Sequence, residues 1–106
     1  MREIKFRAWD KIIKRMLYFD FTQHIDPTDC EIMQFTGLKD TNGKEIYEGD
    51  ILKHDLWGID EVIWDNGGAC FRGKSDERDI TLSSHQLKRT KVIGNIYENP
   101  ELLMEK

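Results

Sequence analysis

The chain has 106 residues, of which 39% are hydrophobic and 34% charged, and its formal net charge is −4. This length and balance predict one globular domain, residues 1–106, with a single core, and they exclude an intrinsically disordered chain. The negative charge argues against general DNA coating, and no apolar run reaches the ~18 residues that a membrane span needs.

Two strands open the chain as a predicted hairpin. Residues 2–9 alternate between an apolar face that includes Phe6 and Ala8 and a charged face that includes Arg7. Period-two alternation with one apolar face is typical of a half-buried strand, so we expect the charged face to be solvated. Residues 15–21 are rich in strand-forming side chains and predict the returning strand.

The strand pattern stops in the twenties. Pro27 excludes a central strand there, and His24 is a lone histidine in a polar loop, which is a surface residue more often than a ligand or a base. Cys30 and Cys70 have neither a CxxC spacing nor a paired histidine. They predict two reduced thiols in a cytosolic protein and no metal site.

The centre of the chain, residues 34–53 with the sequence QFTGLKDTNGKEIYEGDILK, predicts two turns and the strands around them. Asn42-Gly43 is the strongest short-range hairpin signal, because a primed two-residue turn needs positive φ at both positions. The side chain of Asp40 can cap that turn. A second bend is predicted at Gly49, where we expect positive φ or a tight turn.

The acidic residues beside the second bend have two interpretations. Glu48 and Asp50 supply turn chemistry and solubility in the simpler one. In the alternative they form, with His54, a paired-carboxylate site for a metal or for acid–base catalysis, although no other histidine or cysteine is close in sequence.

A second hairpin follows. Residues 61–65 predict a strand, residues 66–68 (Asn-Gly-Gly) a turn, and residues 69–72 the returning strand. Two hairpins so close together indicate a mainly β protein. Trp57 and Trp64 fill the core or form exposed stacking platforms, and the core is the favoured prediction because a small barrel needs large side chains and has few others.

Two short motifs resemble catalytic sequences without their context. Gly73, Lys74 and Ser75 lack the upstream glycine and the spacing of a phosphate-binding loop. Ser84 and His85 are adjacent, which does not orient a base towards a nucleophile, and no glycine-framed elbow surrounds them. We therefore expect neither a nucleotide site nor a hydrolase site.

Lys88, Arg89 and Lys91 form the densest basic cluster of the chain. A solvated loop is the simpler interpretation. The alternative is a phosphate-contacting edge of a small nucleic-acid-binding barrel, supported by exposed aromatic side chains.

The C-terminal part predicts either self-association or an internal plug. Residues 91–97 form a predicted strand with apolar side chains on both faces, and Asn99 and Pro100 begin a short helix. A helix this short needs a partner surface, on its own barrel or on another subunit. The candidate residues for self-association are Ile93, Tyr97, Leu102, Leu103 and Met104.

Three segments resemble the YopX family of phage and prophage proteins: KFRAWDK near the start, residues 34–53, and VIGNIYENPELL near the end. Residues 20–31 and 55–91 do not carry the pattern. The resemblance implies a small β-rich, phage-encoded subunit that associates into homo-oligomers. It implies no catalytic residues.

Together these observations predict a small all-β barrel of about six to eight short antiparallel strands with a short C-terminal helix. We expect a non-enzymatic phage or prophage accessory protein that binds a host or phage macromolecule as a homo-oligomer in the bacterial cytoplasm. No cofactor, tightly bound metal or membrane contact is expected, and nucleic acid is a less favoured partner.

Overall fold

The computed structural model describes residues 3–20, 22–23, 27–76, 78–84 and 87–104. Within these residues the chain forms nine strands in two antiparallel sheets, one of them curled into a half-barrel. The predicted all-β class is confirmed, with nine strands instead of six to eight. The predicted C-terminal helix is a single 3-10 turn, Pro100–Leu103. No helix in the described ranges has the length and apolarity to cross a bilayer.

The first sheet has four strands in the order β2-β1-β3-β4. They are β1 (Phe6–Asp10), β2 (Arg15–Phe19), β3 (Cys30–Lys39) and β4 (Glu45–Tyr47). The predicted hairpin of β1 and β2 is confirmed, and β3 pairs on the other side of β1.

The second sheet has five strands in the order β8-β7-β6-β5-β9. They are β5 (Asp50–His54), β6 (Gly58–Asp65), β7 (Cys70–Lys74), β8 (Asp79–Thr81) and β9 (Thr90–Asn95). The predicted hairpin after residue 60 is confirmed as β6 and β7.

Residues 40–50 carry the chain from one sheet to the other. Gly43 and Gly49 have φ values of 82° and 83°, as predicted for both bends. Asn42 does not have positive φ, so the expected primed two-residue turn is wrong. A longer loop forms instead, because one carboxylate oxygen of Asp40 accepts the N–H groups of Asn42 at 2.8 Å and Lys44 at 2.9 Å.

The buried core lies mainly on one face of the second sheet. Its members are Ile46, Leu52, Val62, Phe71, Leu82 and Leu87. Ile46 belongs to β4 of the first sheet, yet it is completely buried in this cluster. The core therefore joins the two sheets through β4.

Both tryptophans that we expected in the core lie at the surface, so that prediction is wrong. Trp57 is 48% exposed and stacks on His54, and Trp64 is 42% exposed with its ring edge against Phe71. The core is filled instead by branched aliphatic side chains together with Phe35, Tyr47 and Phe71.

The first sheet turns its charged face inwards. Arg7 is only 4% exposed, and Trp9 on the same face stacks on Tyr97 of the C-terminal segment. The expectation of a solvated charged face is therefore wrong for Arg7. The opposite face, called here the outer apolar face, presents four side chains around the fully buried Ala8, and the strand register places them side by side: Phe6, Leu17, Phe19 and Ile32.

The positive φ of Gly43 gives the first prediction. Gly43→Val should lower the free energy of unfolding by about 1–2 kcal/mol, because a β-branched residue is strained in that conformation. No atom lies within 4 Å of a Cβ at this position, so the loss measures backbone strain alone. Gly43→Asn is the control, since Asn tolerates positive φ. Equal urea midpoints for the two variants would contradict the assignment.

Candidate functional site

A cleft with a volume of about 400 Å³ lies where the two sheets meet. One side is built from the end strand β4 of the first sheet, and the other from the end strand β9 of the second. Its lining residues are Arg7, Tyr18, Lys44, Glu45, Tyr47, Asp50, Val92, Ile93, Gly94, Asn95, Glu98 and Asn99. We call this feature the cleft.

A buried ion pair stands at the centre of the cleft wall. Nη2 of Arg7 donates to Oδ1 of Asp50 at 2.7 Å and to the backbone carbonyl of Glu48 at 3.1 Å. The second carboxylate oxygen of Asp50 accepts the N–H of Tyr47 at 2.8 Å. The pair therefore fastens β1 to the turn that connects the two sheets.

The environment of this pair is poorly hydrated. Burial raises the pKa of Asp50 above its ordinary value, against the opposing pull of the Arg7 charge. Burial also raises the pKa of Tyr47. The Tyr47 ring lies 4.9 Å from the guanidinium carbon of Arg7, so an aromatic face and a carboxylate share the cation.

The β9 side of the cleft is a strand edge whose N–H groups bond to side chains. Val92 donates to a carboxylate oxygen of Asp40 at 2.9 Å, and Asn95 donates to Oδ1 of Asn99 at 3.3 Å. A Cβ on residue 94 would lie 2.5 Å from that same oxygen. Gly94 is thus required for the close approach of Asn99.

Comparisons with known proteins bear on the whole chain. The sequence model of the YopX protein family matches residues 20–104. The chain belongs to the YopX family. The crystal structure of EF1440 from Enterococcus faecalis is similar, with 32% identity, a TM-score of 0.74, and coverage of 97% of this chain and 99% of that one.

YopX from Bacillus subtilis has a similar fold in its crystal structure, with 20% identity, a TM-score of 0.55, and the same coverage of both chains. None of the curated proteins matches this YopX-family sequence. The family match contains β4, β5 and β9, and therefore most of the cleft, while Arg7 lies before it.

The structure does not bring Glu48, Asp50 and His54 of this YopX-family protein together. Asp50 and His54 are the first and last residues of β5, roughly 13 Å apart along the strand. His54 stacks on Trp57 at 3.8 Å between ring centroids, and Glu48 accepts the N–H of Gln34 at 2.8 Å. Each of the three has a separate structural role.

In the folded chain, Lys53 lies beside the basic cluster of Lys88, Arg89 and Lys91. Lys91 pairs with Lys53 across β9 and β5, and both side chains are exposed. Arg89 forms an ion pair with Asp55 at 3.3 Å, which offsets its charge. The cluster is a real surface feature that lies outside the cleft.

The C-terminal candidates divide into two groups. Tyr97 stacks on Trp9 at 5.9 Å, and Ile93, Leu102 and Leu103 are half-buried within their own chain. The 3-10 helix contacts β6, as the intramolecular alternative requires. Met104 is 82% exposed and stays available for a partner.

The sequence analysis also singled out two histidines and two cysteines of this YopX-family chain. His24 and His85 lie outside the described residues. Cys30 and Cys70 form no disulfide bond in the described part of the chain.

Sequence reasoning missed Arg7, the most buried cation of the cleft. Alternation identified two faces of β1 but did not show which one meets another sheet. Trp9, two positions along on the charged face, was the available signal, because a large aromatic side chain favours a packed surface.

Proposed function

We propose that this protein is a non-catalytic phage or prophage accessory protein that binds a host or phage protein as a homo-oligomer in the bacterial cytoplasm. The outer apolar face of the first sheet carries the proposal. Ile32 on this face is 47% exposed. Phe6 and Phe19 on the same face stack on each other, with 5.8 Å between their ring centroids. The phage origin rests on the resemblance to the YopX family.

The outer apolar face supports association between copies of this chain. Phe6, Leu17 and Phe19 are only half-buried, and Ile12 and Ile13 at the tip of the β1–β2 hairpin are exposed. An apolar sheet face of this kind is typical of subunit interfaces, which bury such surface in symmetric pairs.

The non-catalytic part of the proposal is supported by the separate structural roles of Glu48, Asp50 and His54. Asp50 holds the Arg7 cation and the N–H of Tyr47, and the ring of His54 is covered by Trp57. These groups stabilise turns and do not converge on one point where a substrate could be activated.

Light scattering tests the assembly. We expect an oligomer at about tens of micromolar, the range in which moderate interfaces associate. Ile32→Glu should dissociate it, because the charge would be buried in the interface. Leu56→Glu is the matched control, because Leu56 is 68% exposed and belongs to neither candidate interface, and it should leave the mass unchanged.

A chain truncated after Glu98 distinguishes between the two candidate interfaces, the outer apolar face and the C-terminal residues. An oligomer that survives truncation supports the outer apolar face, whereas dissociation on truncation moves the interface to Tyr97, Leu102, Leu103 and Met104. A full-length monomer at the same concentration would refute self-association.

Nucleic-acid binding is the competing function, and the pairing of Lys91 with Lys53 is the observation that favours it. The net charge of −4 opposes it at long range. We expect a Kd of about 10⁻⁶ M or weaker for DNA at physiological salt. Nanomolar binding that is lost when Lys88, Arg89 and Lys91 are all changed to Ala would make this the leading function.

A further inference from the structure

Arg7 has hydrogen-bonding capacity that the protein does not use. Nη2 donates both of the hydrogen bonds that Arg7 makes to described residues, one to Oδ1 of Asp50 and one to the backbone carbonyl of Glu48. Nε is buried with no partner, and Nη1 makes no hydrogen bond with any described residue. A guanidinium has five N–H donors, and a buried one that uses so few is costly unless a ligand completes it.

The acidic side chains of the cleft are already engaged. Asp50 accepts from Arg7, Glu45 is paired with Lys5, and Glu98 accepts the side-chain amide of Asn95 at 2.8 Å. These carboxylates therefore offer little to a cationic ligand.

Some residues that line the cleft have N–H donors that no described residue uses. Within the described part of the chain, Nζ of Lys44 has no hydrogen bond or ion pair, and Nδ2 of Asn99 has no hydrogen bond. Lys44 extends from the start of β4, and Asn99 stands opposite on the β9 side. Arg7, Lys44 and Asn99, each with an N–H donor that no described residue uses, therefore line the same cleft.

We propose that the cleft binds a monoanionic carboxylate that is attached to an apolar group. A carboxylate has the two acceptor oxygens that a guanidinium and an ammonium complement. The apolar group would lie against Ile93, a half-buried residue that lines the same space. A volume of about 400 Å³ is at the lower end of ligand sites and fits one residue-sized acid.

The charges of the lining residues select a monoanion over a dianion. Two lining cations, Arg7 and Lys44, together with Lys5, which pairs with Glu45, balance the three carboxylates Glu45, Asp50 and Glu98, so the local formal charge is zero. A phosphate dianion would meet more repulsion there than a single carboxylate. The site is separate from the outer apolar face, so the inference does not depend on self-association.

The test uses the full-length protein and N-acetyl-L-leucine, with N-acetyl-L-leucinamide as the uncharged counterpart. In ¹⁵N NMR titrations the acid should shift the backbone amides of Lys44, Tyr47 and Gly94, and the amide should not. Equal shifts from both compounds, or no shifts in the cleft, would overturn the proposal. Tighter binding of inorganic phosphate than of the acid would also overturn it.

Two variants locate the site. Lys44→Glu should weaken binding of the acid about tenfold or more, because an attractive charge becomes a repulsive one. Lys53→Glu makes the same charge change on an exposed β5 lysine outside the cleft and should leave affinity unchanged. If both variants bind equally well, the proposed site is wrong.

Arg7→Lys retains the positive charge and removes the planar fork. Its folding is checked first by the dispersion of the NMR spectrum. A folded Arg7→Lys that binds the acid with unchanged affinity would contradict the role of the guanidinium, and the Lys44→Glu result stands whether or not this variant folds.

The source of the carboxylate is settled by a third comparison. A tetrapeptide that ends in leucine with a free C-terminus is compared with its C-terminal amide and with N-acetyl-L-leucine. Tenfold tighter binding of the free peptide assigns a polypeptide C-terminus to the cleft. Equal affinity of peptide and small acid assigns a free metabolite-sized acid.

Discussion

Asp50→Ala is expected to lower the free energy of unfolding by about 3–5 kcal/mol, because the buried Arg7 would lose its counter-charge. The two side chains are 5% and 2% exposed and 2.7 Å apart, so Arg7 would lose its close counter-charge in a poorly hydrated position. The N–H of Tyr47 would lose its acceptor at the same time. Urea denaturation followed by circular dichroism measures the loss.

Two controls isolate the cause. Arg7→Met combined with Asp50→Asn removes both charges and keeps an acceptor for Tyr47, so we expect the double variant to regain at least about 2 kcal/mol relative to Asp50→Ala. Glu31→Ala breaks the exposed pair between Lys11 and Glu31 and should cost under about 1 kcal/mol. Similar losses for the exposed and buried pairs would show that burial of the Arg7–Asp50 pair is unimportant.

Ile46→Ala is expected to cost about 2–5 kcal/mol, the range for deleting a buried branched side chain. Ile46 is completely buried and packs with Leu52 and Val62 although it belongs to the other sheet. The cavity would open at the junction of the sheets, where few neighbouring side chains can move to fill it.

Leu56→Ala is the matched control, since Leu56 is an exposed aliphatic residue outside the outer apolar face. The same number of carbon atoms is deleted there, and the stability should change by no more than about 0.5 kcal/mol. If Ile46→Ala lowers the free energy of unfolding by less than about 1 kcal/mol, the packing of β4 against the second sheet does not hold the two sheets together.

Local chemistry predicted the bends and the strands of this fold. Positive φ at Gly43 and Gly49 follows from what glycine alone tolerates easily, and alternation followed by a glycine-rich turn predicted the β6–β7 hairpin. The turn at Asn42 was wrong because the Asp40 carboxylate, which the sequence identified as a cap, also accepts the N–H of Lys44 and closes a longer loop.

The cleft was only partly predictable, because its two charged centres are far apart in sequence. Asp50 was identified as an unusual acid beside a bend, but its partner Arg7 lies 43 positions away. Alternation assigns residues to faces of a strand and is silent on which face meets a second sheet. The same limit applies to Trp57, whose size suggested the core while its position in a turn kept it outside.

The edge of β9 has a consequence for how copies of this chain can assemble. Its outward donors at Thr90, Val92 and Asn95 are already used by side chains of Thr41, Asp40 and Asn99. An incoming strand would have to displace all three, so this edge does not template open-ended growth. Copies that meet through the same side-chain surface about a two-fold axis use that surface up on both subunits, so such a contact closes as a pair.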